Sequence, residues 1–327
     1  MSAADSKKVV IAALAGNLAI AACKFGAAYL SHSTATLAEA VHSLADTGNQ
    51  TLLLVGMRLA TRPASELFAF GRATERYFWP FVVALLLFSV GGAFAIIEGV
   101  THLALPPAPG SRMWSYGVLG VSLLLESMSF RVALKEFRIM AAGAPWRRAL
   151  LEARDPTIPL VLAEDVTAMV GLTVAFVAVG LSGLTGVAWL DPAGSVLIGV
   201  LLCAVAITLA WITHSLLIGK SATAEDQVRI EALTCSVNGV ERVTQLLTMH
   251  LGPEDIVVAM KLAFRPAMTV EEVEVVTNEI ERRIREEMPR MRKIFIEVDS
   301  KGDGRGLSML PPPPAEAALG GASPRAR

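Results

Sequence analysis

The 327-residue chain is 53% hydrophobic and only 18% charged, with a mean hydropathy of +0.52. A soluble globular protein of this size carries about a quarter charged residues, so the composition favours a membrane protein. The formal net charge of −1 argues against a nucleic-acid partner, and three widely separated cysteines without a CxxC pair suggest neither a disulfide framework nor a thiolate metal site.

Six apolar segments are long enough to cross a bilayer, which takes about 20 residues each. They lie at about 8–30, 35–60, 78–104, 113–138, 158–183 and 188–215. Lys7 and Lys8 precede the first segment, but its apolar run continues past the length of a signal-peptide core, so we interpret it as a span. The sequence therefore predicts a transmembrane transport domain over residues 1–220.

Basic residues are concentrated on one side of these predicted spans. They precede the first span, flank two of the connections and follow the last span: Lys7, Lys8, Arg58, Arg62, Arg72, Arg76, Arg131, Lys135, Arg138, Arg147, Arg148, Arg154 and Lys220. The opposite loops carry only Arg112. By the positive-inside rule we expect both termini of this multi-pass protein to face the cytoplasm. The absence of a recognisable transit peptide fits a bacterial inner membrane.

The character of the sequence changes near residue 222. AEDQVRIEALTCSV predicts an amphipathic helix, RVTQLLTMHL and DIVVAMKLAF two strands joined by GPED, TVEEVEVVTNEIERRIREEM a second helix and KIFIEVDS a last strand. This order predicts a small α/β domain over residues 221–300, with one sheet and one helical layer. Because such a sheet leaves one face to cover, its expected task is dimerisation. The Gly/Pro-rich tail, 301–327, has little to bury and is predicted to be disordered.

Ionisable groups lie inside the second span, in LAEAVHSLADTGNQTLLL. Glu39, His42 and Asp46 share one helical face there. A charge near the bilayer centre costs about 2.5–3.5 kcal/mol on insertion scales, so these groups need compensation. His42 and Asp46 are one turn apart, where an imidazole nitrogen and a carboxylate oxygen can bind one divalent ion.

Tetrahedral coordination requires four ligands, and the second span supplies two. Asp165 in the fifth span is the natural third ligand, and the fourth is left open among Glu164, Glu126 of the fourth span and water. A hydrogen-bonded structural histidine is the alternative, but acids on neighbouring spans favour an ion site. Glu39 fits a metal or proton pathway and a structural role equally well.

Other polar residues in the spans have structural explanations. Lys24 is expected to snorkel or to pair with an acid such as Glu39. Asn17 and Asn49 are expected to make hydrogen bonds between helices.

Four segments resemble the cation diffusion facilitator family: TLAEAVHSLADTGNQ, FAFGRATERYFWPFVVALLLFSVGGAFAIIEG, LAEDVTAMVGL and WLDPAGSVLIGVLL. The resemblance covers about residues 8–300 and is closest to the branch that contains the zinc transporter of animal mitochondria. It implies six transmembrane helices, a cytoplasmic ferredoxin-like domain, homodimers and proton-coupled export of a divalent metal, most often zinc. By position, His42 and Asp46 match the second-span metal pair, and Asp165 matches the fifth-span aspartate.

The chain departs from the family pattern at the fifth span. Val161 stands where many members have a second ligand, four residues before Asp165, and Glu164 stands beside Asp165 as in the mitochondrial branch. One histidine with carboxylates is a harder site than two histidines, and would also suit Mn²⁺, Fe²⁺ or Co²⁺.

Two further metal sites are considered outside the spans. Phe68 stands where the family often has a loop histidine, so no loop site is expected. His250, Glu297 and Asp299 of the C-terminal domain could bind regulatory metal, although polar side chains at strand ends are the commoner explanation.

Together these features predict a secondary transporter without a prosthetic group, and not an enzyme. Metal ligands must shed protons before they bind, so metal and protons compete for one site. Histidine, with an ordinary pKa of about 6.5, allows an inward proton gradient to unload the metal. The sequence has no G-x-x-x-x-G-K-[ST] loop for ATP. Two alternatives are a membrane-embedded metalloenzyme and a metal sensor or scaffold that does not transport. The sequence has no H-E-x-x-H or G-x-S-x-G motif, which argues against the metalloenzyme.

Overall fold

A computed structural model describes residues 3–31, 34–104, 112–143, 145–151, 153–187 and 189–299. The chain forms two compact units. The first comprises Met1–Lys220 with His250–Glu254, and the second comprises Ser221–Met249 with Asp255–Arg327. The predicted disorder of the tail, 301–327, falls outside the described residues.

The first unit is built from helices. They are α1 (Ala3–Ser31), α2 (Thr34–Ala60), α3 (Glu75–Leu86), a π-helix (Leu87–Ala93), α4 (Phe94–Ala104), α5 (Arg112–Ala141), α6 (Trp146–Leu151), α7 (Thr157–Thr185) and α8 (Leu190–Ile218). Because α3, the π-helix and α4 follow one another without a break, the long helical segments coincide with the six predicted spans.

Length and composition support membrane crossing. Within the described residues, four segments are long and apolar enough to cross a bilayer: Ser6–Gly26, Glu75–Ala104, Thr157–Ser182 and Pro192–Ile218. Helices α2 and α5, of 27 and 30 residues, are also long enough but carry the ionisable groups of the second and fourth predicted spans. The predicted apolar helical spans are confirmed, whereas the π-helix was not predicted.

The segment from α3 to α4 packs very closely on α8. A Cβ atom on Gly199 would lie 2.8 Å from the backbone oxygen of Gly92, and one on Gly92 would lie 2.5 Å from Cys203 Sγ. Any larger side chain would push the helices apart. Glycine at both positions therefore allows backbone to meet backbone, as is common between membrane helices.

Apolar and polar side chains occupy different layers of the first unit. The buried apolar cluster takes residues from the start of α1 and of α7 and from the end of α2 and of α3, with further members on α5 and α8. Among them are Val10, Leu53, Val83 and Leu160. The next turns of α1, α2 and α7 bring buried polar side chains instead, beginning with Asn17 of α1. Because successive helices alternate in direction, these turns meet at one depth of the bundle.

The second unit is an α/β domain, as the sequence predicted. Its elements are α9 (Ala224–Cys235), β1 (Val240–Gly252), β2 (Asp255–Phe264), α10 (Val270–Glu287) and β3 (Met291–Val298). The sheet order is β1-β2-β3, and β2 pairs with β3 in parallel, with Ala259 opposite Phe295. The order helix, strand, strand, helix, strand is confirmed.

Local sequence explains these elements. Along β2, alternate residues such as Ile256, Val258 and Met260 are buried, which is the period-two pattern of a strand with one covered face. Helix α10 begins with a capping box, in which the Thr269 hydroxyl accepts a bond from the Glu272 backbone N–H and the Glu272 carboxylate accepts one from the Thr269 N–H.

Candidate metal centre

Asp165 of α7 is buried and held by a neighbouring helix. Its side chain is 2% exposed, and the Ser129 hydroxyl of α5 donates a hydrogen bond of 3.0 Å to Oδ2. Helix α5 thus fixes the orientation of a carboxylate that the sequence predicted as a metal ligand. Ser129 was not predicted, since a serine in an apolar span carries no signal of its partner.

Glu164, the residue before Asp165, lies in a buried amide network that joins three helices. The side-chain amides of Asn49 and Gln50 in α2 donate to its two carboxylate oxygens, at 3.1 Å and 2.8 Å. The Gln50 oxygen in turn accepts a hydrogen bond of 3.3 Å from the Asn17 amide of α1. The predicted role of Asn17 and Asn49 as bonds between helices is confirmed. Gln50, the central member, was not predicted.

Glu126 of α5 extends this polar layer. Its side chain is buried and interacts electrostatically with Asp165 and Asp46, which repel it, and with Lys24 of α1, which attracts it. Glu164 likewise lies within electrostatic range of Asp46, Asp165 and Glu126. We call these four carboxylates, from α2, α5 and α7, the acidic cluster.

The described side chains do not complete a metal site by themselves. Within the described part of the chain, no three His, Cys, Asp or Glu side chains are placed so that they could hold one ion. Residues Glu39 and His42 belong to α2, but their side chains lie outside the described residues. Of the predicted set, the structure therefore brings together Asp46, Glu126, Glu164 and Asp165, and His42 stays a prediction.

A cavity of about 450 Å³ lies between α2 and the π-helix. Its lining residues are Asp46, Gly48, Asn49, Thr51, Leu52, Leu86, Leu87, Val90 and Gly91. Asp46 and Asn49 supply carboxylate and amide oxygens on the α2 side, and the π-helix supplies apolar walls. Since π-helices are frequent at functional sites, this segment is a candidate path to the acidic cluster.

A mostly buried ion pair lies outside the acidic cluster. The Arg76 guanidinium at the start of α3 binds Asp155, and both side chains are mostly buried. Asp155 also accepts bonds from the Ser6 hydroxyl, at 2.6 Å, and from the Thr157 backbone N–H, at 3.1 Å. These contacts tie together the first turns of α1, α3 and α7. From the sequence, Arg76 was predicted only as part of the one-sided positive charge, and Asp155 was not predicted.

The proposed regulatory residues at the strand ends have local partners. His250 is buried, and its backbone N–H donates to the Lys220 carbonyl at 3.0 Å. The Glu297 carboxylate pairs with Lys261 at 3.1 Å, and the Asp299 backbone N–H donates to Leu262. Regulatory metal binding by His250 and Asp299 stays an untested prediction.

Comparison with known proteins matches nearly the whole described chain. A family model described as the cation efflux transmembrane domain matches residues 10–218, and one described as the cytoplasmic domain of cation efflux proteins matches residues 222–301.

Among curated relatives, metal tolerance protein C4 of Arabidopsis thaliana is 31% identical over 304 residues, which cover 92% of this chain and 65% of that protein. The mouse proton-coupled zinc antiporter SLC30A9, mitochondrial, is 30% identical over 247 residues, which cover 75% of this chain and 44% of that protein. The chain thus spans less than two thirds of either relative. The manganese efflux system protein MneP of Bacillus subtilis is 19% identical over 294 residues, which cover 90% of this chain and 96% of that protein.

Proposed function

Because the chain belongs to the cation efflux family, we propose that it exports a divalent metal cation, preferably Zn²⁺, from the cytoplasm in exchange for protons. The family is one of transporters and not of enzymes, so the metalloenzyme alternative is set aside. The chain is a multi-pass membrane protein. Its location in a bacterial inner membrane is part of the proposal. So is the cytoplasmic position of both termini, which the one-sided basic residues support.

The observation that carries the proposal is the acidic cluster. Glu126, Glu164 and Asp165 are buried, and Glu126 and Glu164 each lie within electrostatic range of the other three members of the cluster. Their mutual repulsion in a medium of low dielectric constant is relieved by a bound cation or by protons. A site that needs one or the other, and holds neither permanently, suits an exchange of metal for protons.

We assign His42, Asp46 and Asp165 as three of the ligands. The Ser129 hydrogen bond occupies one oxygen of Asp165 and orients the other, as outer partners of metal ligands commonly do. His42 precedes Asp46 by one helical turn in α2, so its imidazole can reach the same side of the helix.

The fourth ligand is Glu164 or Glu126, and their surroundings differ. Both oxygens of Glu164 already accept amide hydrogen bonds, which hold the carboxylate to α2. Glu126 interacts electrostatically with Asp46 and Asp165 at once. This contrast favours Glu126 as the ligand that joins on metal binding, with Glu164 positioning α7 against α2.

Zn²⁺ and Mn²⁺ are the two leading cargoes. One relative is named a zinc antiporter and another a manganese efflux protein. A single imidazole among carboxylates binds Zn²⁺ well but excludes Mn²⁺, Fe²⁺ and Co²⁺ less strictly than a site with two imidazoles does. We therefore propose zinc as the preferred cargo and manganese as the second candidate.

A homodimer held by the second unit is also proposed. That unit exposes Leu247 and Met249 of β1 and Phe295 of β3. Phe295 lies opposite Ala259 on the sheet face that points away from the helices. An apolar sheet face of this kind is typical of a surface covered by a partner copy. Removal of residues 221–327 should lower the dimer fraction in detergent, and an unchanged mass would contradict this.

The deciding experiment is metal flux into proteoliposomes with an imposed pH gradient. His42→Ala and Asp46→Ala should each reduce flux to the background of empty liposomes while the dimer mass is retained. Wild-type flux in either variant would refute the site, and metal binding without any flux in the wild type would favour a sensor.

The same assay separates the two candidate fourth ligands. Glu126→Gln and Glu164→Gln are compared over a panel of Zn²⁺, Mn²⁺, Fe²⁺ and Co²⁺, with Glu136→Gln as the matched control. Glu136 lies on α5 like Glu126, but outside the acidic cluster, and should behave as wild type. If Glu126 is the ligand, Glu126→Gln should lower the flux of every metal in the panel more than Glu164→Gln does.

A further inference from the structure

The connection between α2 and α3, residues 61–74, exposes large apolar side chains. Leu67 is 89% exposed, and Phe68 and Phe70 are 45% and 49% exposed. Three such residues within four positions are unusual for a surface that faces water. The exposed apolar area, above all that of Leu67, favours contact with an apolar environment beyond the described residues.

These side chains are presented by an ordered turn. The backbone N–H groups of Ser65 and Phe68 each donate to the other's carbonyl, at 3.1 Å and 3.0 Å, and the Gly71 N–H donates to Phe68 at 2.8 Å. The Arg72 guanidinium carbon lies 4.7 Å from the centre of the Phe68 ring. The apolar side chains are therefore held outward by structure.

The connection lies at the end of membrane-crossing helices. Helix α2 ends at Ala60, directly before the connection, and the apolar segment Glu75–Ala104 begins directly after it. The chain has 12 Phe, 5 Trp and 3 Tyr, and six of these 20 aromatic residues lie between positions 68 and 81. In the first turn of α3, Phe78 is 43% exposed and packs edge to face on Trp79. Aromatic side chains gathered at one end of a span mark the boundary between headgroups and hydrocarbon.

Positive charge accompanies the apolar side chains. Between residues 58 and 76 the chain has four arginines and two glutamates. Arg72 and Arg76 form ion pairs with Glu75 and Asp155. The other two arginines, Arg58 and Arg62, are exposed at the end of α2. Both stand at or just after the end of helix α2, and the ends of membrane-crossing helices are where a bilayer has its headgroups.

We propose that Arg58, Arg62, Leu67, Phe68 and Phe70 form an interfacial patch that binds the surface of an anionic bilayer. The apolar side chains enter the headgroup region, and the two arginines bind lipid phosphate groups. Negative charge in the leaflet complements the excess of arginine, which distinguishes this occupant from a second copy of the chain. The proposal does not depend on which metal is transported.

The test measures the depth of the Leu67 position in a membrane. Leu67→Cys is made in the full chain with Cys23, Cys203 and Cys235 replaced by alanine, and is labelled with the fluorophore NBD. The chain is reconstituted into vesicles of phosphatidylcholine, with or without phosphatidylglycerol. Lipids with a doxyl quencher near the headgroup should quench the label and shift its emission to the blue, and more so with phosphatidylglycerol. Arg58→Gln with Arg62→Gln should roughly halve the phosphatidylglycerol-dependent part of the quenching.

A matched control separates immersion from general exposure. Val270, at the start of α10, is an apolar side chain that is 82% exposed, and Val270→Cys labelled in the same way should show no quenching. Absence of quenching at Leu67 in both vesicle types would overturn the proposal. The proposal would also be overturned if the label were buried in detergent without lipid and became exposed when the protein was diluted to monomer. A second copy of the chain, and not the bilayer, would then cover the patch.

A second measurement uses the unmodified chain. Amide hydrogen exchange of peptides that cover residues 61–74 should slow in phosphatidylglycerol nanodiscs relative to phosphatidylcholine nanodiscs, and high salt should reverse the difference. Equal exchange in both lipids would refute the role of the arginines even if the cysteine-free chain failed to fold.

Discussion

The two units of the molecule differ in where their polar side chains lie. The first unit buries a carboxamide network and carboxylates between its helices, including Asn17, Gln50, Glu164 and Asp165. In the second unit, Thr234 is the one buried polar side chain among the described residues, and charges lie on the outside. Because water can solvate the surface of the second unit but not the lipid-facing surface of the first, polar groups of the first unit must find partners within the bundle.

This difference indicates where function is located. Burying a charge in a membrane protein costs free energy, so buried ionisable residues usually have a functional role that an apolar residue cannot fill. The apolar core of the second unit, such as Ile280 and Ile284 on α10, is explained by stability alone. The acidic cluster has no such explanation.

The largest expected effect comes from Asp165→Asn. The substitution preserves size and the hydrogen bond from Ser129, but it removes the charge that would bind the cation. Metal flux in proteoliposomes should fall to background, with Glu136→Gln retaining wild-type flux. Transport by Asp165→Asn at the wild-type rate would show that polar burial in the first unit is structural, as apolar burial is in the second.

The second unit should respond in stability and not in transport chemistry. Ile280 is fully buried, so Ile280→Ala should destabilise this unit by about 2–5 kcal/mol. Chemical denaturation, monitored by the hydrogen exchange of α9 and α10, measures this loss of stability. Val275→Ala on the same helix, where the side chain is 68% exposed, should change stability by less than about 0.5 kcal/mol. Equal effects of the two substitutions would contradict the assigned core.

A polar substitution in the first unit should cost a comparable amount for a different reason. Gln50→Leu leaves one oxygen of Glu164 and the amide of Asn17 without their observed partners, which should cost about 1–3 kcal/mol. The unfolding midpoint of the detergent-solubilised protein measures this. Thr51→Val, at an exposed position on the same helix, is the control. A midpoint unchanged by Gln50→Leu would mean that the amide network does not stabilise the bundle.

The smallest effect is expected at a surface ion-pair network of the second unit. Hydrogen bonds from Arg282 and Arg283 lower the pKa of the partly exposed Glu279 from its ordinary value of 4.5 to about 2. Since the pKa is lower in the folded state, the stabilisation is present above pH 4.5 and is lost as the pH falls from 4.5 towards 2. Water and salt screen these exposed charges, so the loss should be slight.

Hydrogen exchange of α10 across that pH range checks this prediction. Glu279→Gln should remove the pH dependence, and Glu271→Gln in the first turn of the same helix should retain it. A large loss of stability in this range that persists in Glu279→Gln would assign acid sensitivity to other carboxylates.

The sequence by itself determined the spans, the order of elements in the second unit and the identity of the acids inside the spans. These features depend on residues that are close in the chain: a run of apolar side chains, the alternation along β2, or the capping box at Thr269. It also placed Asp46 and Asp165 in the candidate site, through spacing and family resemblance.

The tertiary structure alone decided the partners of those acids. Gln50 with Glu164, Ser129 with Asp165, and Arg76 with Asp155 are pairs separated by 114, 36 and 79 residues. A helix that is apolar on nearly every side has no polar face that would reveal its rotation or its neighbours from sequence. Which buried side chains meet therefore depends on how the helices pack, and that packing is set by close contacts such as Gly92 with Gly199, which no local pattern records.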